Sequence, residues 1–131
     1  MHPRLVIAVL VIVSATTLAA AQAIRNVPRI TIDEMKPLIE KHAVLIIDVR
    51  RPDEYAQGHI PGAVNLDYTL VSAQGARFKG DTRTIVTYCA CSNEMTAARA
   101  AVDLAQLGIP GAKALTGGWD EWVRRGEPVE K

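Results

Sequence analysis

Cysteine is scarce in this chain: 131 residues contain two, Cys89 and Cys91, with a single residue between them. That is no disulfide framework, and it supplies too few ligands for a structural zinc site. An excess of one charge is also missing. The net charge is +1, and neither a basic nor an acidic run stands out, which argues against a nucleic-acid partner and against a solvated tail. No internal repeat and no low-complexity linker occurs after residue 30, so the length points to one domain of ordinary size. What is abundant is apolar sequence, 49% of the chain, enough for a real core even with the N-terminus set aside.

That N-terminus reads as an address rather than as fold. Met1-His2-Pro3-Arg4 is short and positive, Leu5 to Val13 is uninterrupted and apolar, and Ala19-Ala20-Ala21-Gln22-Ala23 is made mostly of small residues. This is the three-part pattern of a secretory signal, with cleavage expected after Ala21 or Ala23. An uncleaved anchor is the rival reading, since Leu5 to Ile24 is 20 residues without a charge, close to the ~20 that span a bilayer. Residues 1–23 are therefore expected to be a signal peptide or a membrane anchor, and residues 24–131 the domain. The domain is expected to be periplasmic or secreted, or anchored outside the cytoplasm, with membrane contact only if the segment stays uncleaved. Loss of residues 1–21 removes Arg4 and no acid, leaving the domain near neutral. In an oxidising compartment a free thiol is at risk. A bridge across one intervening residue would close a very small, labile loop, so Cys89 and Cys91 are not expected to protect each other easily.

From Arg25 onward strands and helices alternate. Arg29-Ile30-Thr31 fits a short edge strand, and Thr31 with Glu34 has capping-box spacing. The helix that follows should bury Met35, Leu38 and Ile39, with Pro37 close to its first turn. Val44-Leu45-Ile46-Ile47 is apolar without alternation, as in a strand covered on both faces. Pro52 to Tyr55 can start a short helix with proline at its head. Gly58-His59-Ile60-Pro61-Gly62 is a turn-rich link, Ala63-Val64-Asn65 another short strand, and a helical turn is expected near Thr69 to Gln74. Met95 to Leu107 reads as a helix with Ala98, Ala101, Val102 and Ala105 on one face, ended by Gly108 and Pro110. Lys113-Ala114-Leu115 is a last strand before a helix around Trp119 to Val123. This alternation with short connections predicts an α/β fold with a parallel sheet.

The chain is organised around Thr84 to Arg99, TIVTYCACSNEMTAAR. Thr84 to Tyr88 is a buried strand by composition, and the alanine-rich stretch from Met95 is a close-packed helix. Cys89 to Glu94 must turn from one to the other. A cysteine there lies at the carboxyl end of a strand, where open α/β sheets bind ligands. It also faces the next helix's first amides, which favour thiolate, the nucleophilic form. If the loop curls around the sulfur, the amides of 90–94 form an anion-binding nest. The alternative for Cys89 is a small buried hydrophobe. Cys91 is open among a resolving thiol, a second sulfur acceptor and an inert loop residue. Cys89 and Cys91 with a histidine are a weaker candidate for a soft-metal site.

Leu45 to Tyr68, LIIDVRRPDEYAQGHIPGAVNLDY, and Ile85 to Val129, which ends in LTGGWDEWVRRGEPV, together resemble the rhodanese-like domain family. The resemblance runs from about Pro28 to Val129. It implies a five-stranded parallel sheet with helices on both faces. It also implies that Cys89 accepts a sulfane sulfur, becomes a persulfide and passes the sulfur to a thiophilic acceptor, with thiosulfate or polysulfide as donor. Ala90, Cys91, Ser92, Asn93 and Glu94 would bind the substrate, and Asp48 and Arg50 would brace the region. The expected partners are a small sulfur-containing anion and its acceptor. No metal or organic cofactor is needed, and attack of thiolate on sulfur is the elementary step of disulfide exchange. The related dual-specificity phosphatases have a loop one residue longer that closes on arginine. Met95 stands at that place here, so the bidentate phosphate donor is absent.

Charge is where the chain departs from this family. Its sulfurtransferases often carry arginine directly after the cysteine and at the end of the loop, where this chain has Ala90 and Glu94. At ~6 Å and an effective dielectric near 20, the Glu94 carboxylate would cost about 3 kcal/mol against a second anion, less where exposed. Alternatively Glu94 points away and pairs with Arg50, Arg51 or Arg99, with Asn93 or Ser92 as the helix cap. Arg50 is also a candidate donor-binding cation, and His59 is a turn-fixing residue rather than a base. Two other classes stay open: a binding module that keeps the fold without turnover, and a thiol redox protein using Cys89 and Cys91.

Overall fold

The structure is a computed structural model that describes the backbone of residues 3–131 and the side chains of residues 15–131. It begins with α1 (Pro3–Asn26), a helix that runs without a break through 21–24. Ile24 and the following Val27 pack against the domain core. The expected signal peptide or anchor falls in large part on residues 1–14, outside the described side chains. Among the described residues no helix is long and apolar enough to cross a membrane.

The chain continues through β1 (Arg29–Ile30), α2 (Ile32–Glu40), β2 (Val44–Asp48), α3 (Pro52–Gln57) and β3 (Val64–Asn65). Two 3₁₀ turns flank the short α4 (Val71–Gln74), and β4 (Thr84–Tyr88), α5 (Met95–Gln106), β5 (Lys113–Leu115) and α6 (Gly118–Arg124) complete it. The five strands form one sheet in the order β1-β5-β4-β2-β3, all neighbours parallel. Along β2 and β4 successive side chains alternate between two cores. Leu45, Ile47 and Ile85 join α5 on one face, while Val44, Ile46 and Val86 join α2 and α6 on the other. This explains why β2 reads as continuously apolar: all of its residues are buried.

Local chemistry accounts for most boundaries. The capping box forms as expected, with Thr31 Oγ1 accepting from Glu34 N and Glu34 Oε2 accepting from Thr31 N. Pro37 lies in the second turn of α2 rather than near its start, where its missing N–H removes one ladder bond. Of the residues expected inside, Met35 is fully buried and Leu38 and Ile39 are partly so. The buried face of α5 is Ala97, Ala98, Ala100, Ala101 and Leu104. Val102 is half-buried and Ala105 exposed, because they face α1 and not the sheet. Thr87 Oγ1, wholly buried, donates to Ala97 O at 2.8 Å and ties β4 directly to α5.

At the carboxyl ends of β2 and β4 sits a buried polar cluster. Asp48, fully buried, accepts from Arg50 N, Arg50 Nε and Nη2, and Tyr88 Oη at 2.6–3.1 Å. Arg50 Nη2 also donates to Gly58 O, and the guanidinium lies 4.3 Å from the Trp119 ring centre. Tyr88 Oη in turn accepts from Ile60 N. Burial opposes the charge on Arg50, but the bidentate Asp48 pair more than offsets it and holds Arg50 above its ordinary value.

A second contact closes the far side. The Gly117-Gly118 turn has positive φ at both residues, and Trp119 N donates to Cys89 O at 2.9 Å. A Cβ at Gly118 would lie 2.3 Å from that same carbonyl. Replacing Gly118 by alanine is therefore expected to lower stability by roughly 2–5 kcal/mol, the left-handed backbone cost plus the clash. Gly111→Ala, at φ +87 with nothing within 4 Å, should cost only about 1–2 kcal/mol. Urea midpoints of the two variants decide it; equal losses would contradict the close approach.

Burial, together with the Asp48 charge, raises the Tyr88 phenol above its ordinary value of 10. The unfolded chain then loses its phenolic proton first, so this stabilisation is complete below that pH and is lost as pH rises beyond it. Tyr88→Phe is expected to cost about 1–3 kcal/mol at neutral pH, since Asp48 loses a donor. It should also flatten the alkaline fall in stability. An alkaline limb of the same slope in both chains would contradict this role for Tyr88.

Candidate active site

The loop from Cys89 to Glu94 joins β4 to α5, as expected. Cys89 is buried, Cys91 and Glu94 are partly buried, and Ser92 and Asn93 are exposed. Cys89 and Cys91 are bonded as a disulfide, with Cα atoms 5.5 Å apart. This corrects the expectation that so small a ring would keep the sulfurs from protecting each other. The Cα separation of two residues this near in sequence falls within the range ordinary for bridged cysteines. With both sulfurs in the bridge, neither is a free thiol. Among the described residues no soft-metal set is assembled either: His59 is held elsewhere, with Nδ1 donating to Tyr55 O, its ring stacked on Tyr55, and its backbone paired with Glu130. It acts as the turn-fixing residue that its sequence context indicated.

Beside the bridge is a cleft of about 320 Å³. Cys89, Ala90 and Cys91 form one wall, Val49, Arg50 and Arg51 another, and Glu54, Asp67 and Tyr68 lie around them. Arg50 is committed to Asp48 and Gly58 O, which makes it a brace and not a free donor-binding cation. Arg51 is exposed and 3.2 Å from Asp53. The cleft thus carries no uncompensated positive charge. Among the described residues the amides of Ala90, Cys91, Ser92 and Asn93 have no protein acceptor, so they are available to an anion at the head of α5.

Glu94 is not part of the cleft wall. It occupies the N-cap position of α5 with φ +52, and its Oε1 accepts from Gly117 N at 2.8 Å. Its other oxygen lies 3.7 Å from Arg29 Nε. Glu94 therefore points away from the sulfur, as one reading of the sequence allowed, but its partner is Arg29 on β1 and not Arg50, Arg51 or Arg99. Nor do Asn93 and Ser92 occupy the cap, although Asn93 Oδ1 accepts from Met95 N at 3.3 Å and so serves part of that role. The anticipated repulsion between Glu94 and a bound anion is correspondingly weakened. Together, Gly117 N and Trp119 N grip the two ends of the loop, at Glu94 and at Cys89.

Some contributors were not visible in the sequence. Asn65 Nδ2 donates to Asp48 O and Arg50 O, both at 3.0 Å, and so pins the segment that forms one cleft wall. Thr87 and the Tyr88 hydroxyl were read only as strand formers. No local pattern marks them, because their partners lie on other elements.

The match to known proteins follows this geometry. The rhodanese-like domain matches residues 31–125. Thiosulfate sulfurtransferase 16, a chloroplastic protein of Arabidopsis thaliana, is 30% identical over 93 residues, covering 64% of this chain and 78% of that protein. An HTH-type transcriptional regulator of Mycobacterium tuberculosis is 37% identical over 95 residues, which is 70% of this chain but 40% of the regulator. A solved rhodanese-related protein from Thermoplasma volcanium aligns with a TM-score of 0.68 at 25% identity, covering 79% of this chain and 97% of its own. With the matched region running from the cap of α2 to the end of α6, the chain belongs to the rhodanese-like domain family.

Proposed function

We propose that this protein is a sulfurtransferase that carries sulfane sulfur as a persulfide on Cys89. The observation that carries this reading is the position of Cys89. It is buried at the carboxyl end of β4, on a cleft, and followed by four amides without protein acceptors. Once a thiol reductant opens the bridge, the Cys89 thiolate attacks the donor's outer sulfur. A sulfur–sulfur bond forms at Cys89, the donor's own bond to that sulfur breaks, and the donor leaves with the electron pair. The amides of 90–93 surround the terminal anion and Glu94, held by Gly117 and Arg29, stays clear of it. A thiophilic acceptor then takes the outer sulfur and returns Cys89 as thiolate.

The balance of charge in the cleft favours a singly charged or neutral donor over thiosulfate. Arg50 is spent on Asp48 and Arg51 on Asp53, while Glu54 and Asp67 add negative charge to the lining. The charge-free N-terminal run and the bridged cysteines support a site of action outside the cytoplasm. A second reading, a dithiol–disulfide redox protein, is favoured by one observation, the Cys89–Cys91 bond itself.

Intact mass on pre-reduced Cys91→Ser chain tests the first reading. Treatment with the anion of methanethiosulfonic acid is expected to add the mass of one sulfur. Cyanide should then remove it with an equal yield of thiocyanate, and Cys89→Ser should gain nothing. Thiosulfate is expected to load the chain at least roughly tenfold more slowly, through the repulsion of its second charge. No adduct on a chain shown to be reduced would sink sulfur transfer and leave the redox reading.

A further inference from the structure

We infer that Cys91 is a built-in resolving thiol, so that the protein does not only hand sulfur on but reduces it, releasing hydrosulfide and closing the Cys89–Cys91 bond. This rests on the persulfide reading above and goes one step past it. In a persulfide on Cys89, Sγ of Cys89 is bonded to the outer sulfur. Cys91 is the side chain whose sulfur bonds that same atom in the structure, across a Cα separation of 5.5 Å. The sulfur that must be attacked and the sulfur that attacks are therefore already within bonding reach. Both cysteines also line the one cleft through which a leaving group departs.

The step balances without a further reactant. Cys91 gives up its thiol proton and attacks Sγ of Cys89. The bond between the two cysteine sulfurs forms, the bond to the outer sulfur breaks, and the outer sulfur leaves with the electron pair and the proton as hydrosulfide. The donor's sulfane sulfur is reduced and the two cysteines are oxidised. A dithiol of small-molecule or protein origin then reduces the bridge, becoming a disulfide itself, and the cycle restarts. The substrates are thus a sulfane-sulfur donor and a dithiol.

Charge in the cleft fits release rather than storage. Glu54 and Asp67 face the cleft, and Arg50, which could have held an anion there, is locked to Asp48. A leaving hydrosulfide therefore meets no free cation beyond Arg51, itself beside Asp53. Glu94, the remaining acid of the loop, is turned to Gly117 and does not interfere with Cys91.

The test is single turnover on pre-reduced full-length protein with one equivalent of the methanethiosulfonic acid anion and no added thiol. Wild type is expected to release one hydrosulfide per chain and to finish two hydrogens lighter, without a retained adduct. Cys91→Ser and Cys91→Ala should keep the added sulfur and release hydrosulfide only when a dithiol such as dithiothreitol is supplied. Without it they should be at least on the order of 10²-fold slower, given the effective molarity of a neighbouring thiol. A wild-type chain that keeps its adduct and releases no more hydrosulfide than Cys91→Ser overturns the inference while leaving sulfur transfer intact. An adduct that accumulates on Cys89→Ser overturns the assigned order of attack. Failure of both Cys91 variants to take up sulfur at all is instead the failure of the persulfide reading.

Discussion

A single buried carboxylate organises the active end of this molecule. Asp48 has no solvent, so its charge must be met from within, and five hydrogen bonds from Arg50 and Tyr88 meet it. The two donor residues tie in different parts of the structure around the cleft. Arg50 draws in the segment after β2 and carries on to Gly58 O and the face of Trp119. Tyr88 is the residue immediately before Cys89, and its hydroxyl also takes the Ile60 amide. Removing one partner from such a buried pair generally costs about 3–5 kcal/mol, because the other charge is left alone. Asp48, expected from the family resemblance to brace this region, is thus a keystone for the position of the loop.

The loop itself is held from outside by the turn before α6. Trp119 N binds the carbonyl of Cys89 and Gly117 N binds the carboxylate of Glu94, so the first and last residues of the turn are clamped by adjacent amides. Only glycine at Gly118 allows the approach. Glu94 acquires a meaning here that its charge alone did not suggest. A carboxylate in place of a cation at the loop's end is unfavourable for a dianionic donor if it faces the sulfur. Turned to Gly117 and Arg29, it becomes a structural tie and adds no third carboxylate to a cleft already lined by Glu54 and Asp67.

The proposed cycle would place two states of sulfur within the same few ångströms. Cys89 is bonded to Cys91, and among the described residues the four amides that follow Cys89 have no protein acceptor. In the proposed cycle a persulfide cradle and a resolving thiol would come from one loop, because the same few residues carry the unpartnered amides and both cysteines. In that cycle, what would separate this chain from a simple carrier of sulfur is the identity of the residue two positions after Cys89.

The sequence alone determined the elements and their order. The run of strand and helix signals, the Thr31–Glu34 cap, the non-alternating β2 and the small residues of α5 are local patterns, each set by propensity or burial within one element. It also marked Cys89 and the loop, because a cysteine between a β-branched strand and an alanine-rich helix is a local arrangement. Tertiary structure decided the partners. That Glu94 meets Arg29 and Gly117, that Arg50 spends its charge on Asp48, that Asn65 pins β2's end and that Thr87 reaches α5 all depend on strands distant in sequence lying side by side. The Cys89–Cys91 bond belongs with these. Ring size argued against it, and the folded loop nevertheless bonds the two sulfurs. Hydrogen bonds and ion pairs act over a few ångströms in space, and distance along a chain says little about that until the chain has folded.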